Sequence, residues 1–447
     1  MIKIYDTMTR SLRDFVPLTE NVVNMYVCGP TVYNYIHIGN ARSAVAFDTI
    51  RRYFEYCGYT VNYISNFTDV DDKIIKAANE AGISTKELSD KFIAAFMEDT
   101  GQLGIKPATQ NPRVINYMDE IIAFVSTLVD KGFAYVSEGD VYFRVAKSNN
   151  YAKLANKTLE DLEIGASGRT DAETERKENP LDFALWKAAK EGEVFWDSPW
   201  GPGRPGWHIE CSVMATEILG DTIDIHGGGA DLEFPHHTNE IAQSEAKTGK
   251  TFANYWMHNG FVNVDNEKMS KSLGNFVTVH DMLQTVDGQV LRFFLATQQY
   301  RKPINFTEKA IHDAEVNLKY LKNTHSLPLT EQVNQAELQT YLDAFQEAMD
   351  DDFNTANGVT VLFDMAKWIN SGNYDQTVKD AFEKMLQVFG IVFEEEVLDE
   401  DIEKLIEERQ AARANKDFAT ADRIRDELAA QGIKLLDTKE GVRWTRD

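Results

Sequence analysis

Two groups of residues that lie far apart in the sequence have the types needed to handle phosphate. The first, His37-Ile38-Gly39-Asn40, follows a Gly-Pro break and precedes a helical pattern, so free backbone N–H groups would face an anion. The second, Lys268-Met269-Ser270-Lys271-Ser272, places two ammonium groups between Gly260 and Gly274. We expect this stretch to be a mobile loop that closes over a polyphosphate. Taken alone, His37 is better explained as a residue that caps the helix or packs beside it, and the lysine motif shifts the interpretation to phosphate.

A further set of residues has the types that ligate zinc. Cys28 precedes the Gly-Pro break, Cys211 follows a loop rich in glycine and proline, and His236 and Glu240 are four residues apart on one face of a predicted helix. Two thiolates, an imidazole and a carboxylate suit a tetrahedral zinc ion. The sequence has no CxxC or HExxH pattern, so buried cysteines and a solvated helix face remain the alternative.

Two shorter segments suit a nucleotide or an amino acid. Gly227, Gly228 and Gly229 lack side chains in a row, which lets the backbone approach a flat base and its ribose, and Asp231 can accept from a hydroxyl. A simple loop is the alternative. The acidic segment 68–73 contains carboxylates that either face a substrate amino group or cap a helix, and we favour the cap.

The elements that position the first motif form a strand-helix-strand unit. Residues 22–28 and 60–67 are apolar runs suited to buried parallel strands. Between them, apolar residues recur at three- and four-residue spacing up to Cys57, and Gly58 suits the end of a helix. A right-handed crossover would bring His37 to the carboxyl edge of the sheet, where such folds bind phosphates.

Composition limits the function without identifying it. A chain of 447 residues with 43% hydrophobic residues can bury more than one core, so about three or four domains are expected. Neither a transmembrane stretch nor a secretory signal is visible, which favours the cytoplasm. Three cysteines argue against a disulfide framework. The net charge of −25 disfavours non-specific binding of nucleic acid but not a docked, shape-specific RNA.

Several motif blocks together resemble one family. Segments 28–33, 180–187, 206–212 and 234–237, with the two phosphate-handling motifs, resemble the blocks of the cysteinyl-tRNA synthetases. These belong to the class I aminoacyl-tRNA synthetases, whose HIGH and KMSKS signatures correspond to the two motifs. Asn40 stands where the signature has its second histidine, and an amide can also donate to an oxygen. The resemblance covers nearly the whole chain.

The resemblance implies an α/β fold with a doubly wound, parallel, Rossmann-type catalytic sheet, a connective insertion, an α-helical bundle and a small C-terminal anticodon-binding domain. The expected regions are 1–110 with 200–250 for the catalytic domain, 111–199 for the insertion, 251–305 for the KMSKS-loop and stem-contact region, 306–393 for the bundle, and 394–447 for an acidic linker with the anticodon-binding domain. The linker starts with a run of like charges, which resists packing.

The function implied by the resemblance is that of an ATP-dependent cysteine:tRNA ligase. It would activate L-cysteine as cysteinyl-adenylate and transfer it to the terminal adenosine of cysteine tRNA. One Zn²⁺ per chain would select the substrate thiolate, and Mg²⁺ would accompany ATP. The expected partners are ATP, cysteine, and the acceptor end and anticodon of the tRNA, with no membrane. The chain is expected to be a monomer in the cytoplasm.

The resemblance also assigns residues to these roles. The zinc ligands would be Cys28, Cys211, His236 and Glu240, with His237 as a competitor of His236 that spacing cannot separate. The catalytic residues would be His37, Asn40, Lys268 and Lys271. ATP would contact these four together with Gly39, Gly227, Gly228, Gly229 and Asp231, and the substrate would contact Thr31, Thr68 and Trp207. For Trp207, a lid over the substrate and an ordinary core tryptophan remain open.

Two other functions compete with this one. A related ligase could pass activated cysteine to a small amine, but it would have no use for the helical region after Phe306 or the basic residues after Lys404. A non-catalytic RNA-binding or zinc-stabilised protein would not need both lysines of the second motif beside a full ligand set. The basic residues and Trp444 near the C-terminus suit phosphates and bases, or simply a solvated helix face.

Overall fold

The computed structural model describes residues 1–166, 174–395, 398–439 and 441–446. Small parts of the predicted insertion (167–173) and of the predicted acidic linker (396–397) lie outside the described residues. The chain divides into two compact units, Met1–Val392 and Phe393–Asp447, next to the predicted start of the linker at residue 394. Each unit has a hydrophobic core of its own.

Strands and helices alternate through the first three hundred or so residues, and helices then follow one another. The strands are β1 (Lys3–Asp6), β2 (Ser11–Asp14), β3 (Val22–Val27), β4 (Thr60–Ser65), β5 (Ala134–Ser137), β6 (Asp140–Phe143), β7 (Phe183–Ala188), β8 (Gly203–Pro205), β9 (Ile223–Gly229), β10 (Ala253–Asn259), β11 (Val262–Val264), β12 (Glu267–Lys268), β13 (Ile304–Phe306), β14 (Ile433–Thr438) and β15 (Gly441–Arg446). The helices are α1 (Ile38–Tyr56), α2 (Asp72–Ala81), α3 (Thr85–Gln102), α4 (Met118–Asp130), α5 (Leu159–Ala166), α6 (Trp207–Leu219), α7 (Thr238–Thr248), α8 (Val279–Met282), α9 (Gly288–Ala296), α10 (Glu308–His325), α11 (Gln335–Asp350), α12 (Thr355–Asn370), α13 (Gln376–Val388), α14 (Glu400–Ala414) and α15 (Phe418–Ala430).

Four parallel strands form the central sheet of the first unit, in the order β10-β9-β3-β4. They are buried along most of their length, as expected for a parallel sheet. Helix α1 connects β3 to β4 and α7 connects β9 to β10, so the two connections leave the centre of the sheet in opposite directions. The carboxyl ends of β3 and β9 therefore flank a switch point, where doubly wound sheets bind ligands. The predicted doubly wound sheet is confirmed, and it takes its edge strand β10 from the predicted 251–305 region.

Helix α1 begins at the first phosphate-handling motif. Its N-cap is His37, and its buried residues include Phe47, Ile50 and Phe54, which recur at the spacing of a core-facing stripe. Gly58 follows the helix with φ of +93°, a conformation that favours glycine and ends the helix as predicted.

An antiparallel sheet, β5-β6-β7-β8, takes its first three strands from the predicted insertion and its edge strand β8 from the predicted 200–250 segment. Gly206 connects β8 to α6, and a Cβ at this position would lie 2.1 Å from the carbonyl oxygen of Ala184 in β7. Only glycine permits this close approach. It brings the N-terminal part of α6, which carries Trp207 and Cys211, against β7.

The second phosphate-handling motif lies beside a small sheet with the strand order β12-β11-β13. Asp265 and Asn266 form the two-residue turn between β11 and β12, with φ of +48° and +67°, as a type I′ turn requires. Lys268 ends β12. After the motif the chain returns to α1, where the Ile38 N–H donates to the Val277 carbonyl at 3.1 Å. The backbone therefore holds the two motifs next to each other.

The helices after β13 pack in two groups. Helices α10 to α13 pack as a bundle around buried residues that include Phe345, Leu362, Phe382 and Phe389. In the second unit, α14, α15 and the β14-β15 hairpin surround Leu398, Ile402, Ile424, Leu428 and Ile433. Arg409 donates to both carboxylate oxygens of Asp437 at 2.9 Å, which ties α14 to β14. None of the described helices has the length and apolar composition to cross a membrane.

Candidate active site and metal centre

A cleft of about 700 Å³ opens at the carboxyl ends of β3 and β9. Most residues assigned from the sequence line it, namely Cys28, Thr31, His37, Gly39, Asn40, Thr68, Trp207, Cys211, Gly229, Asp231, His236, Lys268 and Lys271. Within the described ranges, Glu240, Gly227 and Gly228 do not belong to this lining. The cleft therefore brings the two phosphate-handling motifs and the soft donor atoms into one cavity.

His37 is both the cap of α1 and a residue of the cleft. Its Nδ1 accepts from the Asn40 backbone N–H at 3.1 Å, and the Asn40 side-chain oxygen accepts from the His37 N–H at 3.2 Å. A neutral ring whose Nδ1 accepts carries its proton on Nε2. Burial, helped by Lys271 and Lys73, lowers the pKa of His37 from 6.5 to about 4. The ring is therefore neutral at pH 7 and offers Nε2–H as a donor.

This lowered pKa makes the stability of the chain depend on pH. Near pH 6.5 the unfolded chain takes up a proton on His37, whereas the folded chain does so only near pH 4. The contribution of the neutral cap is complete above about pH 6.5 and is lost as the pH falls to about 4. His37→Asn keeps a capping side chain that cannot titrate. We expect the unfolding free energy of the wild type to fall relative to this variant across that window, in denaturant unfolding. A constant difference would contradict the assignment.

The second motif presents two lysines to the cleft. Lys271 Nζ lies 3.5 Å from the Tyr33 hydroxyl and 5.5 Å from the centre of the Phe276 ring. Lys268 Nζ lies 5.5 Å from the centre of the Phe261 ring. In the described part of the chain, neither ammonium group has a carboxylate oxygen within 4.0 Å. Both positive charges are therefore free to pair with an anionic ligand.

Four side chains from three parts of the chain converge at the base of the cleft. Cys28 follows β3, and Cys211 lies on α6. His236 lies in a π-helical turn (Glu233–His237), and Glu240 lies on α7, which follows this turn. One ligand atom from each lies within 4.8 Å of the others. The two sulfur atoms are 3.8 Å apart, and Glu240 Oε2 lies 3.8 Å from Cys28 Sγ and 3.4 Å from His236 Nε2. These four residues form the outer set, so named because three of them line the cleft.

Burial controls the protonation of these donor atoms. It raises the pKa of the Cys28 thiol and of the Glu240 carboxyl. Burial, with the nearby rings of His208 and His226, lowers the pKa of His236 and keeps its imidazole neutral. Anionic forms of the sulfur and the carboxylate are costly in this interior unless a cation balances them. Two sulfurs, one imidazole and one carboxylate match the donors that zinc takes in proteins, so the outer set could hold a metal ion.

His237, the predicted competitor of His236, approaches the same cluster from below the cleft. Its Nε2 lies 3.4 Å from Cys28 Sγ. His237 is not part of the described cleft lining, whereas His236 is, and the His236 ring stacks on Trp207 with centroids 4.2 Å apart. Trp207 is 41% exposed, so it forms a wall of the cleft and is not a core residue.

The glycine triplet of β9 lies mostly behind the cleft. A Cβ on Gly227 would lie 2.4 Å from the Phe47 ring, and a Cβ on Gly228 would lie 2.8 Å from a leucine side chain. Packing against Phe47 therefore requires glycine at 227, and a side chain at 228 would have to displace the leucine. Gly229 and Asp231 line the cleft. Contact of ATP with Gly227 and Gly228 stays a prediction.

Two side chains near the motifs act on the local backbone. Asp71 accepts from the Lys73 N–H at 2.8 Å as the N-cap of α2, which is the cap predicted for the acidic segment. Asn275, which sequence reasoning missed, accepts from the Ser270 N–H at 2.8 Å and donates to the Lys268 carbonyl at 3.3 Å. It thereby folds the second motif back on itself.

Asn66, also missed from the sequence, links the outer set to a predicted substrate contact. Its side-chain oxygen accepts from the Gly29 N–H at 3.0 Å, and its amide group donates to the Thr68 hydroxyl at 3.1 Å. Gly29 directly follows Cys28, and a Cβ there would lie 1.7 Å from the Asn66 carbonyl oxygen. Asn66 is 1% exposed, and a buried amide at the end of a strand needs such partners.

Replacing Asn66 by alanine should affect both stability and binding of cysteine, the substrate that the sequence resemblance implies. The Gly29 N–H loses its acceptor in the interior, which costs about 1–3 kcal/mol of unfolding free energy. Because Thr68, a predicted substrate contact, also loses its partner, we expect KM for that substrate to rise roughly tenfold, equivalent to about 1.4 kcal/mol. Asn62→Ala is a matched control, since Asn62 donates to Asn24 at 2.8 Å between β4 and β3, outside the cleft lining. It should cost stability and leave KM unchanged; equal KM values for the two variants would refute the positioning role.

Three family models match the chain in sequence. Residues 14–316 match the tRNA synthetases class I (C) catalytic domain, and residues 344–394 match the DALR domain. Residues 395–444 match the cysteinyl-tRNA ligase anticodon binding domain. The matches together cover most of both units.

Curated proteins and solved structures agree with these matches. The cysteine–tRNA ligase of Streptococcus thermophilus (strain CNRZ 1066) is 95% identical, and that of Streptococcus pyogenes serotype M6 is 84% identical, each over 100% of both chains. Mycobacterium tuberculosis methionyl-tRNA synthetase in complex with methionyl-adenylate has a similar fold, with a TM-score of 0.60 at 15% identity over 82% of this chain and 89% of that one. The chain therefore belongs to the cysteine–tRNA ligase family of the class I tRNA synthetases.

Proposed function

We propose that the chain activates L-cysteine with ATP to form cysteinyl-adenylate and then transfers cysteine to the terminal adenosine of cysteine tRNA. Membership of the cysteine–tRNA ligase family makes it a ligase. The observation that carries the mechanism is that three of the four outer-set residues and both phosphate-handling motifs line one cleft.

The outer set would hold one Zn²⁺ per chain. Its donors fit this ion, since they are soft or borderline, buried, and within 4.8 Å of one another. The bound ion would supply a soft Lewis acid that takes the thiolate of cysteine and discriminates against the hydroxyl of serine. Shape alone would separate these amino acids by only about 1–3 kcal/mol. We favour His236 over His237 as the ligand because His236 reaches the cleft, where the substrate must lie.

The chemistry needs no nucleophile from the protein. An oxygen of the cysteine carboxylate attacks the α-phosphorus of ATP, and the bond from that phosphorus to pyrophosphate breaks. A hydroxyl of the terminal adenosine then attacks the activated carbonyl carbon, and AMP leaves. Both steps depend on positioning and on stabilising charge.

The residues of the two motifs can meet these needs. The neutral His37 donates from Nε2 to a phosphate oxygen. The Asn40 side-chain oxygen is engaged in the cap, so only its amide group is left to donate to the nucleotide. Lys268 and Lys271 balance the charge of the departing pyrophosphate together with Mg²⁺. Asp231 at the cleft wall accepts from a ribose hydroxyl.

The amino acid end of the cleft is formed by three predicted substrate contacts. Thr31 and Thr68 line it beside Cys28, and the hydroxyl of Thr68 is oriented by Asn66. Trp207, stacked on His236 and partly exposed, covers the side of the cleft above the outer set. We assign it the role of a lid over the cysteine side chain.

The second unit is proposed to bind the anticodon, and the insertion to bind the acceptor end. The match of residues 395–444 to an anticodon-binding domain supports the first assignment. Arg423 and Arg425 are exposed on α15 and paired with Glu427 and Asp422 at 3.7 and 3.3 Å, so tRNA phosphates would have to replace these weak surface pairs. Binding of tRNA should therefore weaken with salt.

Two assays in sequence test this function. ATP–pyrophosphate exchange that depends on cysteine reports the first step, and attachment of labelled cysteine to tRNA reports the second. We expect both activities, with serine inactive in each. Exchange without attachment to tRNA would instead favour the ligase that uses a small amine, and absence of both would favour a non-catalytic protein.

A further inference from the structure

His237 is held in the way that a metal-binding imidazole is held, although the outer set does not use it. Its Nδ1 lies 2.8 Å from His258 Nε2, and His258 Nδ1 lies 2.8 Å from the Thr7 hydroxyl. This chain of hydrogen bonds orients the ring. In the tautomer with its proton on Nδ1, the Nε2 lone pair is available to a metal ion, and Nε2 lies 3.4 Å from Cys28 Sγ and 3.8 Å from Glu240 Oε2.

His226 completes a second group of donors behind the first. Its Nε2 lies 3.0 Å from Glu240 Oε1, and the His226 ring is fully buried on β9. One ligand atom from each of Cys28, His226, His237 and Glu240 lies within 4.8 Å of the others. These four residues form the inner set. The outer and inner sets share Cys28 and Glu240 and differ in the other two donors.

Three of the inner donors have the spacing of a tetrahedral ion, and His226 lies within 4.8 Å of them. Metal–ligand bonds of about 2.0–2.3 Å place neighbouring ligand atoms about 3.3–3.8 Å apart around a tetrahedron. The distances from Cys28 Sγ to His237 Nε2, from Cys28 Sγ to Glu240 Oε2 and from His237 Nε2 to Glu240 Oε2 are 3.4, 3.8 and 3.8 Å. The outer set shows the same range, with 3.8, 3.8 and 3.4 Å.

We propose that the inner set is a second binding site for a divalent transition-metal ion, called the inner seat below. The ion occupies either this site or the outer set. Its one thiolate, two imidazoles and one carboxylate suit Zn²⁺ or Co²⁺. Because the two sets share Cys28 and Glu240, one ion excludes the other. An ion in the inner seat leaves Cys211 and His236 without metal, so the chain holds metal and does not capture the cysteine thiolate. This inference rests on the proposed function only in that Cys28 and Glu240 are also proposed there as zinc ligands.

The test uses metal-free, full-length protein and Co²⁺ alone as the probe, since thiolate-to-cobalt absorption reports how many sulfurs bind the ion. The variant Cys211→Ser/His236→Gln removes the two donors found only in the outer set. The variant His226→Gln/His237→Gln removes the two found only in the inner set. Thermal unfolding of each variant with and without Co²⁺ shows whether the chain is folded and whether it binds the ion.

The two-seat arrangement predicts opposite results for the variants. The variant without the outer donors should bind one Co²⁺ per chain through one thiolate, and added cysteine should leave its spectrum unchanged. The variant without the inner donors should bind Co²⁺ through two thiolates, and added cysteine should contribute a third. If the folded Cys211→Ser/His236→Gln chain binds no Co²⁺ at concentrations that saturate the wild type, the inner seat does not exist.

A third comparison keeps the inference testable if a double variant fails to fold. In Cys211→Ser alone, a further His237→Gln change should abolish Co²⁺ binding, while a further His236→Gln change should not. The reverse pattern would overturn the inner seat. If added cysteine does not change the Co²⁺ spectrum of the wild type, the proposed zinc function is contradicted. The inner set is tested independently of this result, by the Co²⁺ binding of the variants.

Discussion

Replacing Lys271 by alanine is expected to slow formation of cysteinyl-adenylate by about 100- to 1000-fold, the usual effect of removing one group that stabilises transition-state charge. Lys271 Nζ contacts the Tyr33 hydroxyl across the cleft and has no carboxylate partner within 4.0 Å among the described residues. Its charge is therefore available to the departing pyrophosphate. The measurement is ATP–pyrophosphate exchange, with cysteine binding measured separately, and binding should be nearly unchanged because the outer set is intact.

Lys302→Ala is the matched control for this variant. Lys302 is exposed and lies outside the described cleft lining, so its replacement removes the same charge without touching the site. It should leave exchange near the wild-type rate. Near wild-type exchange in Lys271→Ala, or an equal loss in both variants, would refute a direct role of the second motif in the first step.

Replacing Cys28 by serine is expected to remove most of the preference for cysteine over serine. A neutral hydroxyl is a poor ligand for zinc, and Cys28 belongs to both the outer and the inner set, so neither arrangement stays complete. Without the ion, discrimination should fall to what shape provides, about 10- to 200-fold. The measurements are metal content per chain and the ratio of kcat/KM for cysteine and serine in exchange.

Cys57→Ser provides the corresponding control. Cys57 caps the far end of α1 and is half-buried, so the variant loses a thiol without changing either donor set. We expect normal metal content and normal discrimination. Full metal content and unchanged discrimination in Cys28→Ser would mean that the ion is bound by residues outside the two donor sets.

The part of the fold around the first motif was predictable because local patterns agree with the tertiary structure. The apolar runs before and after α1 became β3 and β4, and Gly58 ends the helix where its positive φ is needed. The sequence left open whether His37 caps a helix or handles phosphate. In the structure Nδ1 serves the cap, and Nε2 is left for the phosphate contact that we propose.

The supporting residues of the site were not predictable because their partners are distant in sequence. Asn66 contacts the backbone after β3 from the end of β4, and no spacing rule connects these positions. His226 and His258 lie within strands that are buried on both faces. An imidazole in such a strand requires polar partners. That requirement is the sequence signal that could have identified His226 and His258. The π-helical turn Glu233–His237 before α7 was also missed. The proline at 235 had suggested that a regular α-helix starts there.

The most direct test of the zinc-based selection is cysteine-dependent ATP–pyrophosphate exchange measured before chelation, after chelation and after return of Zn²⁺, with metal content determined at each stage. We predict one zinc per chain at the start, a large fall in exchange with cysteine when the ion is removed, and recovery when it is returned, while serine stays inactive whenever zinc is present. Exchange with cysteine that persists undiminished in the metal-free chain would contradict selection of the substrate by a metal-bound thiolate.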